Sequence, residues 1–307
     1  MPFSSAGLFG KLPAYGDFVR VRAAEPAARA FAAWLSEGYE AARQGGVHRG
    51  PEPVRFLYRP SALEGVLLGV LADSADKVGR RFPLAVFTQA RASELAIAYP
   101  ALPAAARAFL DAATTLVQGA GELLPADLPA RLDALPVPAV ASLPGEVQKA
   151  RDLASRGRGH EVLARLFGDL ARRQHHYAWH CFKSACAPVR QREPSSASVV
   201  LDCPGREDQD RFAWLELARR ELSWAAPPSF AWREGERPRL ALSLGPFPVA
   251  LYGLLCDDGR RDGKLWPLTT AQPAALAAAD RALGAAVVAL LDRTDLSLLD
   301  LIAALSP

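Results

Sequence analysis

The chain has 307 residues, of which 50% are hydrophobic and 22% are charged, and its formal net charge is +3. This composition excludes an intrinsically disordered chain and is sufficient for about two domains with sizeable cores. The small net charge, carried by scattered arginines, argues against a nucleic-acid-binding surface, which needs clustered basic residues.

The compartment is inferred from features that the sequence lacks. The first residues have neither the basic nor the apolar region of a signal peptide. The apolar stretches at 65–72 and 282–291 are shorter than the about 20 residues that a membrane-spanning helix needs. The four cysteines are expected to be reduced thiols, since a chain of this size folds without disulfides. We therefore expect a cytoplasmic protein without a membrane span.

The first predicted elements lie in residues 7–44. The segment 7–20, GLFGKLPAYGDFVR, is typical of a short strand that runs into a tight turn. Pro13 restricts the backbone there, and Gly16 is expected to take the positive φ that closes the turn. Pro26 marks the start of a helix, and the spacing of Phe31, Trp34, Leu35, Tyr39 and Ala42 predicts an amphipathic helix that ends at the glycines 45 and 46.

Three strands are predicted next, at Val54–Tyr58, near 65–71 and at 82–88, with the polar turn ADSADKVGRR between the last two. Alanine-rich sequence predicts a helix over 101–118. Five prolines within 125–144 predict an irregular connector. Two further helices are predicted near 146–172 and 173–184.

The second part of the chain repeats a few residues of the first at the same spacing. Six residues recur without gaps when the sequence is shifted by 184 positions: Gly69, Leu71, Asp73, Gly79, Pro83 and Leu84 recur as Gly253, Leu255, Asp257, Gly263, Pro267 and Leu268. This pattern predicts an internal duplication, in which 53–90 and 237–272 form equivalent strand-turn-strand units.

The order of elements predicts an α/β protein of two three-layer α/β/α lobes with mixed sheets. We place the first α/β domain at 1–140, a helical connector at 141–194, and a second α/β lobe, a possible degenerate repeat of the first, at 195–307.

Chemical motifs are sparse. Lys11-Leu12-Pro13 does not fit a phosphate-binding loop, because such a loop places Ser or Thr after the Lys. His176 and His180 have the i, i+4 spacing of two metal ligands on one helix face, but Tyr177 occupies the position where a zinc protease has its glutamate. We therefore expect no catalytic residues, no cofactor and no metal.

Two ordered motifs resemble the TagF family of type VI secretion-associated proteins. The first contains Gly10-Lys11-Leu12-Pro13 and Gly16-Asp17-Phe18. The second contains, in the same order as in the family, Ser74, Asp76, Val78, Gly79, Arg80, Phe82, Pro83 and Leu84. The resemblance covers roughly the first 120 residues. It implies a cytosolic, post-translational repressor of type VI secretion that is linked to a forkhead-associated scaffold protein.

The motif residues divide into two predicted groups. We expect structural roles for those that form turns or anchor the loops to the sheet: Gly10, Pro13, Gly16, Asp17, Gly79, Phe82 and Pro83. We expect contact with a protein partner from those with exposed polar side chains: Lys11, Tyr15, Arg20, Asp76, Lys77, Arg80 and Arg81.

The sequence thus favours a non-catalytic regulator that binds proteins of the type VI secretion apparatus, possesses no nucleic-acid surface and works in the cytoplasm. The alternative is an enzyme with a small-molecule or metal site between the two lobes, where pockets commonly form.

Overall fold

The computed structural model of the chain describes residues 3–61, 63–196, 199–235, 238–257, 259–260 and 263–306. Within these ranges the strands form a single mixed sheet. The strands are β1 (Gly7–Lys11), β2 (Phe18–Val21), β3 (Val54–Tyr58), β4 (Gly65–Ala72), β5 (Leu84–Arg91), β6 (Val200–Pro204), β7 (Ser229–Arg233), β8 (Arg239–Ser243) and β9 (Leu265–Pro267).

The sheet joins the two parts of the chain. Its strand order is β2-β1-β5-β4-β3-β7-β8-β6-β9, antiparallel except for the β6–β9 pair. At the junction β3 pairs with β7, with Phe56 opposite Ala231 and Leu57 opposite Phe230. These side chains are buried, so the two α/β segments do not form separate lobes. Unpaired, β3 and β7 would each leave a row of backbone donors and acceptors at a buried edge.

Helices cover both faces of the sheet. Their bounds are α1 (Pro26–Gln44), α2 (Ala92–Leu95), α3 (Leu102–Ala105), α4 (Arg107–Gln118), α5 (Leu128–Asp133), α6 (Leu143–Arg156), α7 (Gly159–Phe167), α8 (Gln174–Cys186), α9 (Asp208–Glu221), α10 (Ala250–Cys256), α11 (Pro273–Leu283), α12 (Ala285–Leu291) and α13 (Leu298–Leu305).

Alternation along the strands divides the core into two layers, because successive strand residues point to opposite faces. In β4, Leu67 and Leu71 pack with α1 and α10, whereas Leu68 and Val70 pack with the larger helical layer that contains α4, α8 and α9. The α/β class, the mixed sheet and the three layers expected from the sequence are confirmed.

The smaller helical layer is held by aromatic contacts. The rings of Phe31 in α1 and Phe56 in β3 stack at 4.8 Å. Trp34 Nε1 donates a hydrogen bond to the carbonyl oxygen of Pro248, 3.1 Å away. The face of α1 predicted from its periodicity is therefore the face that packs on the sheet.

The expected duplication is wrong at the level of these segments. A shift of 184 positions places β4, a central strand, onto residues 249–256, most of which form the helix α10. Leu251 and Leu255 lie one helical turn apart and are buried against α1. A short apolar run fits a buried strand and a buried helix equally well, and the Pro246–Pro248 region ahead of it favours a helix start.

The predicted helices lie where the structure has helical segments, but two of them are divided into shorter elements. The helix expected over 101–118 is divided into a 3₁₀ turn, α3 and α4, and the one expected over 146–172 is divided into α6, α7 and a 3₁₀ turn. Within the described ranges, no one helix combines the length and apolar character that crossing a membrane requires. Helices α11 and α12 meet those two requirements only when they are counted together, and the pair is bent by 111°.

Candidate interaction surface

The first family motif forms a hairpin at one edge of the sheet. The Tyr15 amide donates to the Leu12 carbonyl oxygen at 3.0 Å, and Pro13 occupies the second position of this turn, as expected. The chain then enters β2, the edge strand, in which Phe18 lies opposite Lys11. Gly16 does not take the positive φ expected from the sequence. Its lack of a side chain instead leaves room for Lys77, whose Cε would lie 2.9 Å from a Cβ at this position.

The second motif forms the loop between β4 and β5, and Asp76 organises it. Its Oδ1 accepts hydrogen bonds from the amides of Val78 at 3.1 Å and Arg80 at 2.9 Å. Its Oδ2 accepts from Lys11 Nζ at 3.0 Å and Arg80 Nε at 2.7 Å. Burial favours a higher pKa for the Asp76 carboxyl, but these hydrogen bonds from Lys11, Arg80 and Val78 outweigh it and hold the pKa well below its usual range.

The two motifs are bound to each other by further hydrogen bonds. Arg80 Nη2 donates to the Gly16 carbonyl oxygen at 2.6 Å, and the Lys77 amide donates to the Tyr15 carbonyl oxygen at 3.0 Å. Ser74 Oγ donates to the Lys11 carbonyl oxygen at 2.8 Å. Segments that are about 65 residues apart in sequence therefore form one rigid unit.

Glycines supply the required backbone shape in this unit. Gly79 has a φ of +82° at the tip of the second loop, where open space surrounds it. Gly10 has a φ of +144°, and a Cβ there would lie 2.2 Å from the Pro83 carbonyl oxygen. The structural roles predicted for both glycines and for Pro83 are consistent with this geometry. Asp17 also acts locally, since its Oδ1 accepts from the Phe18 amide at 2.7 Å.

An aromatic cluster anchors the unit to the sheet. Phe82 is buried, and its ring meets Phe18 at 4.7 Å, Tyr39 at 5.1 Å and Phe9 at 5.8 Å. The Arg20 guanidinium lies 4.9 Å from the centre of the Phe9 ring. This burial agrees with the anchoring role predicted for Phe82.

Two residues predicted to contact a partner are instead buried. Lys11 is 8% exposed and Asp76 is 4% exposed, and they pair with each other. A surface position is the ordinary expectation for Lys and Asp, but a buried charge is tolerated when it is paired and fully hydrogen-bonded.

The exposed side chains form a mixed apolar and basic patch. The sequence missed Phe18, which is 38% exposed, and Val78, which is 65% exposed. The sequence signal that could have identified Val78 is an apolar residue between Lys77 and Gly79 in an otherwise polar loop. We call the following exposed residues the motif surface: Tyr15, Phe18, Arg20, Lys77, Val78 and Arg80.

Arg81 borders the motif surface. Its guanidinium pairs with Asp73, and its carbonyl oxygen accepts a hydrogen bond from the Tyr39 hydroxyl at 2.5 Å. The Arg80 guanidinium is exposed, but it also pairs with Asp76 and donates a hydrogen bond to the Gly16 carbonyl oxygen, so Arg80 has a structural role as well. Among the described residues, the side chains of Tyr15, Lys77 and Val78 take part in no ion pair or ring contact, so changing them should disturb the loops least.

The histidines considered as metal ligands are in α8, far along the chain from these loops. His176 lies between two aspartates, Asp280 and Asp292. His175, which belongs to the same sequence cluster as His176 and His180 but not to their i, i+4 pair, faces Asp292 as well. His180 is half-buried on the same helix.

Comparison with known proteins agrees with the two motifs. Residues 7–135, which include both motifs, match the family model described as "TagF N-terminal domain, Type VI secretion system-associated". The resemblance to this family that the motifs predicted is therefore confirmed over residues 7–135.

One solved structure with a similar chain is the crystal structure of PA0076 from Pseudomonas aeruginosa PAO1. The two are 20% identical with a TM-score of 0.46, over 86% of this chain and 99% of that chain. A likeness at this level does not indicate the partner or activity of either protein. No curated protein matches the sequence.

Proposed function

We propose that this type VI secretion-associated protein is a non-catalytic, cytoplasmic regulator that represses secretion after translation by binding a component of the apparatus. The partner that the family resemblance implies is a forkhead-associated scaffold protein. The observation that carries the proposal is the motif surface: exposed apolar and basic side chains on two loops that are joined by the buried Lys11–Asp76 pair and by the exposed Arg80.

The construction of the surface supports binding. Its loops are fixed by hydrogen bonds between the two motifs, so little conformational entropy is lost when a partner binds. Tyr15 and Phe18 supply aromatic area, and Arg20, Lys77 and Arg80 supply positive charge next to it. This combination fits a protein partner with an apolar patch bordered by carboxylates.

The alternative, an enzyme with a site between two lobes, has less support. The junction where that site was expected is filled by side chains that are at most 1% exposed, namely Phe56, Leu57, Phe230 and Trp232. A surface that binds without catalysis accounts for the motif loops, which lie toward the β2 edge of the sheet and not at this central junction.

Capture of the purified forkhead-associated scaffold tests the proposal. Val78→Asp and Lys77→Glu should each weaken capture by about tenfold or more, which corresponds to about 1.4 kcal/mol. Both side chains are exposed, so the melting temperature should change little. Reversal of Arg80 is a poorer test, because a glutamate there would face the buried Asp76 carboxylate.

The matched control is Arg172→Glu. Its side chain is 77% exposed, and it belongs to the segment between α7 and α8 on the other face of the sheet. It should leave capture unchanged. If Val78→Asp and Lys77→Glu fold normally and capture the scaffold as strongly as this control, the motif surface does not bind that protein.

A further inference from the structure

Helix α8 carries two adjacent buried histidines that meet an aspartate from a distant part of the chain. His175 and His176 are 2% and 0% exposed. Asp292, directly after α12, places Oδ1 2.9 Å from His176 Nε2 and 3.3 Å from His175 Nε2. The three potential ligand atoms all lie within 4.8 Å of one another.

The two separations from Asp292 Oδ1, 2.9 and 3.3 Å, are close to those between ligands of one zinc ion. Ligands that surround zinc tetrahedrally at about 2.0–2.1 Å are themselves about 3.3 Å apart. Two imidazole nitrogens with one carboxylate oxygen form a ligand set of the kind that suits zinc. The Asp292 side chain is 51% exposed, so a fourth position is accessible to water from this side.

A second carboxylate orients one of the histidines. Asp280 Oδ1 lies 2.7 Å from His176 Nδ1, and Arg173 Nη1 donates to Asp280 Oδ2 at 2.6 Å. Histidines that ligate a metal commonly donate their other N–H to a carboxylate, which fixes the tautomer and directs the free lone pair at the ion. With a cation at Nε2, Nδ1–H would donate to Asp280 while Asp292 binds the ion, so both aspartates would have a partner.

The surroundings of His175 also favour a ligand. The His175 ring is buried, and its centre lies 4.2 Å from that of the His176 ring. Its Nδ1 is a buried polar atom without a hydrogen-bond partner among the described residues. The 3.3 Å contact with Asp292 is long for a hydrogen bond, so it offsets little of the free-energy cost of burying the His175 ring.

From this geometry we infer that the protein binds one zinc-like divalent cation through His175 Nε2, His176 Nε2 and Asp292 Oδ1, with Asp280 as the orienting carboxylate. The site ties α8 to the end of α12. A cavity of about 50 Å³ next to His175, lined by apolar residues such as Phe167, Trp179 and Trp214, is too small for a substrate. Such an ion would hold α8 and the end of α12 together. This reverses the expectation from the sequence, which considered His180 in place of His175 and Asp292.

Zinc titration of the chelator-treated full chain tests the inference. Calorimetry with ZnCl₂ should show one saturable ion per chain, and the melting temperature should rise with zinc. CoCl₂ should give the visible absorption of a four-coordinate site. Absence of saturable one-to-one binding in the wild-type chain overturns the inference, whatever the variants do.

Variants assign the ligands. Asp292→Asn should abolish one-to-one binding, and Asp280→Asn should weaken it about 10–100-fold. His180→Ala, on the same helix but outside the cluster, should bind as the wild type does. If Asp292→Asn fails to fold, His175→Gln replaces it. Equal zinc affinity in the wild type and in the folded ligand variant would show that the ion binds elsewhere and would overturn the inference.

Discussion

A comparison of Gly10→Ala with Gly79→Ala tests whether the first motif is fixed by contact with the sheet. Both glycines have positive φ, +144° and +82°, in which an L-residue is strained. At Gly79 a Cβ would enter open space, so the cost is that of the backbone conformation alone, about 1–2 kcal/mol. At Gly10 a Cβ would lie 2.2 Å from the Pro83 carbonyl oxygen and 2.7 Å from the Leu84 Cα, both of which are backbone atoms of the strand-entry region.

The Gly10 overlap cannot be relieved by a rotamer change. Gly10 is paired with Leu84 of β5 on one side and Val19 of β2 on the other. To gain about 1 Å, β1 and β5 would have to separate and lose the hydrogen bonds between them. We therefore expect Gly10→Ala to lower the free energy of unfolding by more than about 4 kcal/mol, the range that marks a severe steric fault.

Urea unfolding followed by circular dichroism measures both changes, with similar m-values as the check that one transition is compared. Gly79→Ala should show a modest decrease in the midpoint, and Gly10→Ala a large one or no folded state. Equal midpoints for the two variants would refute the argument, because they would show that β1 and β5 can separate without cost.

Two more predictions concern the same unit. Phe82→Ala should cost about 3–5 kcal/mol in the free energy of unfolding, since it removes a buried ring that contacts three others, and a loss below about 1 kcal/mol in urea unfolding would contradict its anchoring role. Asp76→Asn should melt below the wild type at pH 7, and this difference should shrink as the pH falls below about 4. A carboxyl whose pKa is lower in the folded state stabilises the fold above its unfolded pKa and loses that effect as it becomes protonated. A difference in melting temperature that stays constant from pH 7 to pH 2 would show that the Asp76 charge is not what the loop requires.

Local sequence was sufficient where an element is defined by its own pattern. The strand Val54–Tyr58 and the helix starting at Pro26 lie where the sequence predicts them. The predicted secondary structure was wrong where contacts with a distant part of the chain matter. The apolar run at 249–256 forms a helix that packs against α1, although the run itself is equally compatible with a buried strand.

The candidate sites follow the same division. The turn at Pro13 could be predicted, because proline acts locally, whereas Gly16 does not take the positive φ expected of it. The burial of Lys11 and Asp76 was not, since their pairing brings together loops 65 positions apart. His176 and Asp292 are 116 positions apart, so the spacing of histidines along α8 suggested the wrong companion.

The structure divides the motif residues into those that hold the two loops together and one that does not. Lys11, Asp76, Arg80 and Phe82 make hydrogen bonds or ring contacts that hold the two loops together, so the requirements of folding account for their place in the pattern. Val78 differs from them: it belongs to the second motif, it is apolar, and it is 65% exposed at a loop tip. Stability gives no reason for an apolar side chain at that position. Contact with a partner does give one, and this is why Val78, rather than the more conspicuous arginines, is the position at which the proposed binding should be tested first.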